Sequence, residues 1–150
     1  MDVKIYLKGS SIIRDEKMRA VVLIKTNKKE ITRMFEFNKK GSPLEAEYLA
    51  LIKVIERLKD VKNRLTSVEI FSTIETMVRQ IEGRYRVSSK EIIPLYLKVM
   101  NSLRDFNYST RLISKEEMDR VLRFPVAEMS EEKLKSLLDK VDFDIEDLWV

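Results

Sequence analysis

The chain has 150 residues, 36% of them charged and 44% hydrophobic, with a formal net charge of +4, a balance that fits one soluble globular domain rather than a disordered chain. Histidine and cysteine are both absent, which excludes His-based triads, most zinc sites and disulfide frameworks and leaves carboxylates with a hard cation such as Mg²⁺ as the route to hydrolysis. Residues 126–150 hold three lysines against eight acids, net −5, leaving +9 on residues 1–125; a basic body with an acidic tail suits an anionic partner for the body.

In chain order, Val3, Ile5 and Leu7 alternate with Lys4, Tyr6 and Lys8, the period of a half-buried strand that runs into Gly9. "RAVVLI" (19–24) and "ITRMFEF" (31–37) predict two further strands, joined by a hairpin at "KTNKKE". "GSPLEAEYLALIKVIERLKD" carries the sharpest start signal, with Ser42 as cap, Pro43 at the first helical position and Glu45 completing a capping box. Leu44, Tyr48, Leu51, Ile55 and Leu58 then predict a helix over 43–59, and Leu49, Ala50 and Ile52 widen its buried stripe.

"SVEIFS" (67–72) reads as a fourth strand, "TIETMVRQIEG" as a short helix stopped at Gly83, and "RYRVSS" as a basic loop. "KEIIPLYLKVMNSLRDF" (90–106) predicts a long helix with Pro94 near its start. "YSTRLI" (108–113) gives a fifth strand, and "SKEEMDRVLRF" a helix capped by Ser114 with acids in its first turn. After Pro125, "SEEKLKSLLDKV" predicts an amphipathic helix before the acidic-aromatic end "DFDIEDLWV". No apolar run approaches the ~18 residues of a membrane span, and "MDVKIYLKGS" lacks the shape of a signal peptide, so the expected setting is cytoplasmic, with no membrane partner. The Lys/Glu-rich, Gln-poor composition points to a thermophile.

Three blocks, in order, carry a resemblance: "VKIYLKGSS", "EAEYLALIKVIERL" and "VEIFSTIETMVRQIEGRYRV". They resemble the first strand, the first helix, and the fourth strand with its following helix of the type I ribonuclease H domain, in its bacterial and archaeal form. The resemblance spans about residues 1–122. It implies an α/β fold with a mixed five-stranded sheet in the order 3-2-1-4-5 over a domain of 1–124, with 125–150 as an acidic amphipathic extension. The family holds two Mg²⁺ ions on four carboxylates. Mapped onto this chain, the first-strand Asp falls on Lys8, the first-helix Glu on Glu47, the Asp after the fourth strand on Thr73, and the last Asp on Asp119 within "KEEMDRVL". "GSSIIRDEK" keeps only Gly9 of the glycine-rich loop that approaches the RNA strand in the family. The resemblance thus implies a degenerate site with no catalytic set, metal or cofactor. Lys8 is expected to substitute for the metals, its Nζ within about 4 Å of the Glu47 carboxylate and Asp119 near.

Three functional readings follow. In the first, a catalytically inactive ribonuclease H-like protein binds nucleic acid (RNA, or an RNA/DNA hybrid) through Arg79, Arg84, Arg86 and Lys90, with Tyr85 interleaved for stacking. In the second, the chain is an interaction module of a larger assembly whose tail presents Leu134, Leu138, Phe143, Leu148 and Trp149 to a protein partner. In the third, residual metal-dependent nuclease activity uses rearranged ligands among Glu45, Glu47, Glu75 and Asp119. No phosphate-binding glycine motif supports any other class.

Overall fold

The computed structural model describes residues 1–10 and 17–123. The predicted tail residues Leu134, Leu138, Phe143, Leu148 and Trp149, and most of the loop after the first strand, lie outside the described residues. Five strands form one sheet: β1 (Asp2–Ser10), β2 (Met18–Lys25), β3 (Glu30–Phe37), β4 (Ser67–Ser72) and β5 (Tyr108–Leu112), ordered β3-β2-β1-β4-β5. β1 pairs antiparallel with β2 (Leu7 opposite Val22) and parallel with β4 (Ile5 opposite Ile70). β2 and β3 are antiparallel, and β4 and β5 parallel. The mixed sheet and its strand order are those that the resemblance implied.

Side-chain alternation splits the core in two. Val3, Ile5 and Leu7 of β1 and Val68 and Ile70 of β4 meet α1 (Pro43–Leu58) and α3 (Ile93–Leu103) on one face. Tyr6, Val21, Leu23, Met34 and Phe71 meet Ile113 and the buried side of α4 (Lys115–Leu122) on the other. Tyr6 and Phe71 stack across the parallel pair, ring centroids 4.3 Å apart and planes 9° from parallel. β2 is covered on both faces, so its near-continuous apolar run is what a doubly buried strand requires.

α1 forms where its cap predicts: Ser42 Oγ accepts from the Glu45 amide at 3.1 Å, and Pro43 opens the helix. The reciprocal half of the capping box differs, because the Glu45 carboxylate turns to Lys39 Nζ at 2.9 Å, an ion pair outside hydrogen-bond geometry. Tyr48, Ala50, Leu51, Ile52, Ile55 and Leu58 are buried as predicted, and so are Ala46 and Val54, while Leu44 and Leu49 are half-buried and α3 packs beside the helix. The Tyr48 hydroxyl, buried with its ring, donates to Gln80 Oε1 at 2.8 Å. The helix then tightens into a 3-10 turn at Lys59–Arg64.

α2 (Glu75–Ile81) stops before Gly83, whose φ of +80° suits a residue without a Cβ. The long helix predicted over 90–106 is shorter, Ile93–Leu103. Pro94 lacks an amide hydrogen and is accepted only in a first turn, which sets where α3 can begin. No helix among the described residues is long and apolar enough to cross a membrane.

Gly9 is where β1 meets the start of α1. A Cβ there would lie 2.3 Å from the Pro43 carbonyl oxygen, which is backbone and cannot swing aside. Gly9→Ala should therefore cost about 3 kcal/mol of folding free energy, the upper end for overpacking. Gly83→Ala, with open space around its Cβ and only its positive φ to resist it, should cost about 1 kcal/mol. Urea denaturation of the two variants checks the difference; equal losses would mean that the contact at Gly9 yields.

Candidate functional site

The parallel pairing of β1 and β4 brings their carboxyl-terminal ends side by side, the usual place for a site in such a sheet. Alternation sends neighbouring residues there to opposite faces. On the α1 face, Glu47 is fully buried, with Oε2 accepting the Gly9 amide at 3.0 Å and Oε1 accepting the Ser72 hydroxyl at 2.5 Å. On the α4 face, Lys8 Nζ donates to Thr73 Oγ1 at 3.3 Å. The expected Lys8–Glu47 contact does not form, because no ion pair within 4.0 Å joins them. Strand parity is the physical reason: Gly9 and Ser72 face α1 with Glu47, whereas Lys8 faces away with Tyr6.

Burial is the largest influence on Glu47 and raises its pKa from 4.5 to about 7, while the bonds from Ser72 and Gly9, and then the charge of Lys8, draw it down. The influence of Lys8 has the expected sign and is the smallest of the four. Asp119 is half-buried on α4 and makes no hydrogen bond or ion pair among the described residues. It does not join Lys8 in the open cleft of about 580 Å³ lined by Lys8, Thr73, Glu75, Leu112, Ile113, Ser114 and Lys115.

The fold family implies a pair of divalent cations, and these residues do not fit them. Glu47 has both oxygens engaged, Glu45 is paired with Lys39, and Glu75 receives the Tyr85 hydroxyl. Among the described residues no three acidic side chains gather as a cation would need, and the cleft has two lysines, Lys8 and Lys115, in its lining beside the single acid Glu75.

The basic segment is less free than its sequence suggests. Arg79 pairs with Glu82 at 3.0 Å and Glu75 at 3.9 Å, and Arg84 reaches Glu82 at 3.4 Å. Tyr85 is 45% exposed, and its hydroxyl donates to Glu75 Oε1 at 3.1 Å, which holds the phenol above its ordinary pKa. Arg86 and Lys90 are exposed, and their side chains form no ion pair or hydrogen bond among the described residues. Glu75 therefore touches both the cleft and the basic segment.

Sequence reasoning overlooked Lys115, Ser114 and Ser72 as site residues. Ser114 and Lys115 follow the fifth strand after Ile113, and a parallel β5 beside β4 brings that end to the cleft; Ile113 N donates to Ser72 O at 3.0 Å to hold it there.

No family model matches the chain, and no curated protein matches it in sequence. Solved structures do. RNase H1 of the halophilic archaeon Halobacterium salinarum is similar over 91% of this chain and 99% of its own, with a TM-score of 0.67 at 16% identity. LC11-RNase H1, solved in complex with an RNA/DNA hybrid, is similar over 92% of this chain and 97% of its own, with a TM-score of 0.67 at 23% identity. The N-terminal RNase H domain of a Mycobacterium tuberculosis protein is similar over 79% of this chain and 91% of its own, with a TM-score of 0.60 at 19% identity.

The buried carboxyl of Glu47 makes stability depend on pH. Its folded-state pKa of about 7 stands above the ordinary 4.5, so between these values the folded protein holds a proton that the unfolded chain has lost. The contribution is intact below pH 4.5 and is lost as pH rises through 7, at most about 3 kcal/mol. Glu47→Gln keeps a neutral group in place, so it should flatten this slope and exceed the wild type at pH 8 by about 2 kcal/mol. Urea denaturation of both proteins from pH 5 to pH 8 tests it; a variant less stable than the wild type at pH 8 would show that the charged form is the one the fold prefers.

Proposed function

We propose that this protein, built on a ribonuclease H-like fold, binds nucleic acid without hydrolysing it. The observation that carries the reading is the Lys8–Thr73 hydrogen bond at the ends of β1 and β4, where the resemblance puts two of the family's four carboxylates. A cation and a neutral hydroxyl there repel or ignore Mg²⁺ but suit a polyanion. Glu47 is kept for another purpose, as a buried acceptor. The +9 charge of residues 1–125, Arg86 and Lys90, which have no partner among the described residues, and the exposed ring of Tyr85 support a surface that tracks a phosphate backbone and stacks on a base. A similar structure, LC11-RNase H1, was solved on an RNA/DNA hybrid, which makes a hybrid the first ligand to try. Arg79 and Arg84 support the surface less, since each is already paired with an acid.

Fluorescence anisotropy with a short RNA/DNA hybrid, across a series of KCl concentrations, tests the binding. Affinity should fall steeply with salt, and Arg86→Ala with Lys90→Ala should reduce the log–log slope by about 2, one for each lost phosphate contact. The same hybrid incubated with Mg²⁺ or Mn²⁺ should stay intact. Robust cleavage that disappears in Glu47→Gln would overturn the non-hydrolytic reading, and affinity indifferent to salt would overturn the electrostatic one.

A further inference from the structure

We infer that the cleft between the ends of β1 and β4 and the start of α4 is a phosphate seat that works without a divalent ion, with the ammonium groups of Lys8 and Lys115 taking the anion directly. The inference rests on the nucleic-acid reading above and assigns the backbone phosphate a place within it. Lys8 is part-buried, and among the described residues its only hydrogen bond is to the neutral Thr73 hydroxyl and no acid pairs with it. A part-buried ammonium bonded only to a neutral hydroxyl is left short of the solvation it had in water, and an anion in the cleft would restore it. Lys115 lines the same cleft, and its side chain has no partner among the described residues.

The hydroxyls of the lining are oriented to help. Thr73 Oγ1 accepts from Lys8, and Ser114 Oγ accepts from the Glu117 amide, so the hydroxyl hydrogen of each is left to donate to a phosphate oxygen. Opposing charge is present and partly engaged: Glu75 lines the cleft but is bonded to Tyr85 and paired with Arg79, while Glu116 and Glu117 stand in the exposed first turn of α4, with the charge of Glu117 felt by Tyr6. The contact of Glu75 with Tyr85 also makes the cleft continuous with the segment bearing Arg86 and Lys90. One strand could therefore lay a base against Tyr85 and set a neighbouring phosphate between the two lysines. This chemistry needs no bond to break; the site holds and orients.

The experiment compares wild type, Lys8→Ala with Lys115→Ala, and Lys8→Arg, each checked by thermal melting for folding. Anisotropy is read in EDTA with an RNA/DNA hybrid bearing a 5′-hydroxyl or a 5′-phosphate. A parallel titration follows the amide NMR signals of Gly9, Thr73 and Ser114 with inorganic phosphate. Wild type should bind as well in EDTA as in Mg²⁺. The double variant should bind about tenfold more weakly, with its salt slope reduced by about 2, and Lys8→Arg should stay near wild type. Equal affinity for the two hybrids assigns the seat to a backbone phosphodiester, and preference for the 5′-phosphate assigns it to a strand end. Binding that requires Mg²⁺ overturns the inference. So does a double variant that binds like wild type while Arg86→Ala with Lys90→Ala weakens binding, an outcome that leaves the nucleic-acid reading standing. If wild type binds no nucleic acid, the reading falls. The seat then stands only if phosphate moves the Thr73 and Ser114 signals in wild type and not in the double variant.

Discussion

The architecture turns on one buried carboxyl. Glu47 accepts a hydrogen bond from the Gly9 backbone and another from the Ser72 side chain, so a single group on α1 ties together the ends of two parallel strands distant in sequence. The absence of a side chain at Gly9 lets the helix come close enough to do this, and the Ser42 cap with Pro43 fixes where the helix starts. In a dry setting such a group is costly unless it is bonded, and it is more comfortable neutral than charged. Its two donors offset the cost of burial without cancelling it, which is why its pKa rises rather than falls.

The two faces of the same strand ends consequently differ. The α1 face is closed, apolar and occupied by the Glu47 bonds, while the α4 face opens into a cleft whose lining includes two lysines, two hydroxyls and Glu75. Metal-assisted hydrolysis requires several acids converging on one point. Here the candidate acids are dispersed: Glu47 lies beneath the sheet, Glu45 is paired with Lys39, Glu75 is bonded to Tyr85, and Asp119 on α4 has no partner among the described residues.

Much of this was legible in the sequence because local and global signals agree. The alternation in "VKIYL", the cap at Ser42, the stop at Gly83 and the cap at Ser114 each match an observed boundary to within a residue or two. The sheet order came from the family resemblance and not from periodicity, which says nothing about which strand neighbours which. The proposed Lys8–Glu47 pair went wrong for a related reason. The parity that puts Lys8 with Tyr6, opposite Leu7 and Gly9, is written in the first strand, but which face α1 covers depends on long-range packing. The ion pairs of Arg79 were readable in advance: Glu75 and Glu82 stand four residues before and three after it, the spacings at which helical side chains meet. Counting lysines and arginines without their helical neighbours overstates the charge that a ligand would meet.

The sheet is also graded from one side to the other. β2 is buried along nearly its whole length, whereas β5 is five residues long, mostly exposed, and covered on its outer side by no further strand among the described residues. Amide hydrogens in β1 and β2 should therefore exchange with solvent only on global unfolding, while those of β5 can open in smaller excursions. The cleft sits on the loose side of that gradient. Anything seated between Lys8 and Lys115 bridges the firm end of β1 and the start of α4 just beyond β5. Its first signature would be slowed exchange along Tyr108–Leu112, at concentrations that leave the slowest-exchanging amides of the interior unchanged.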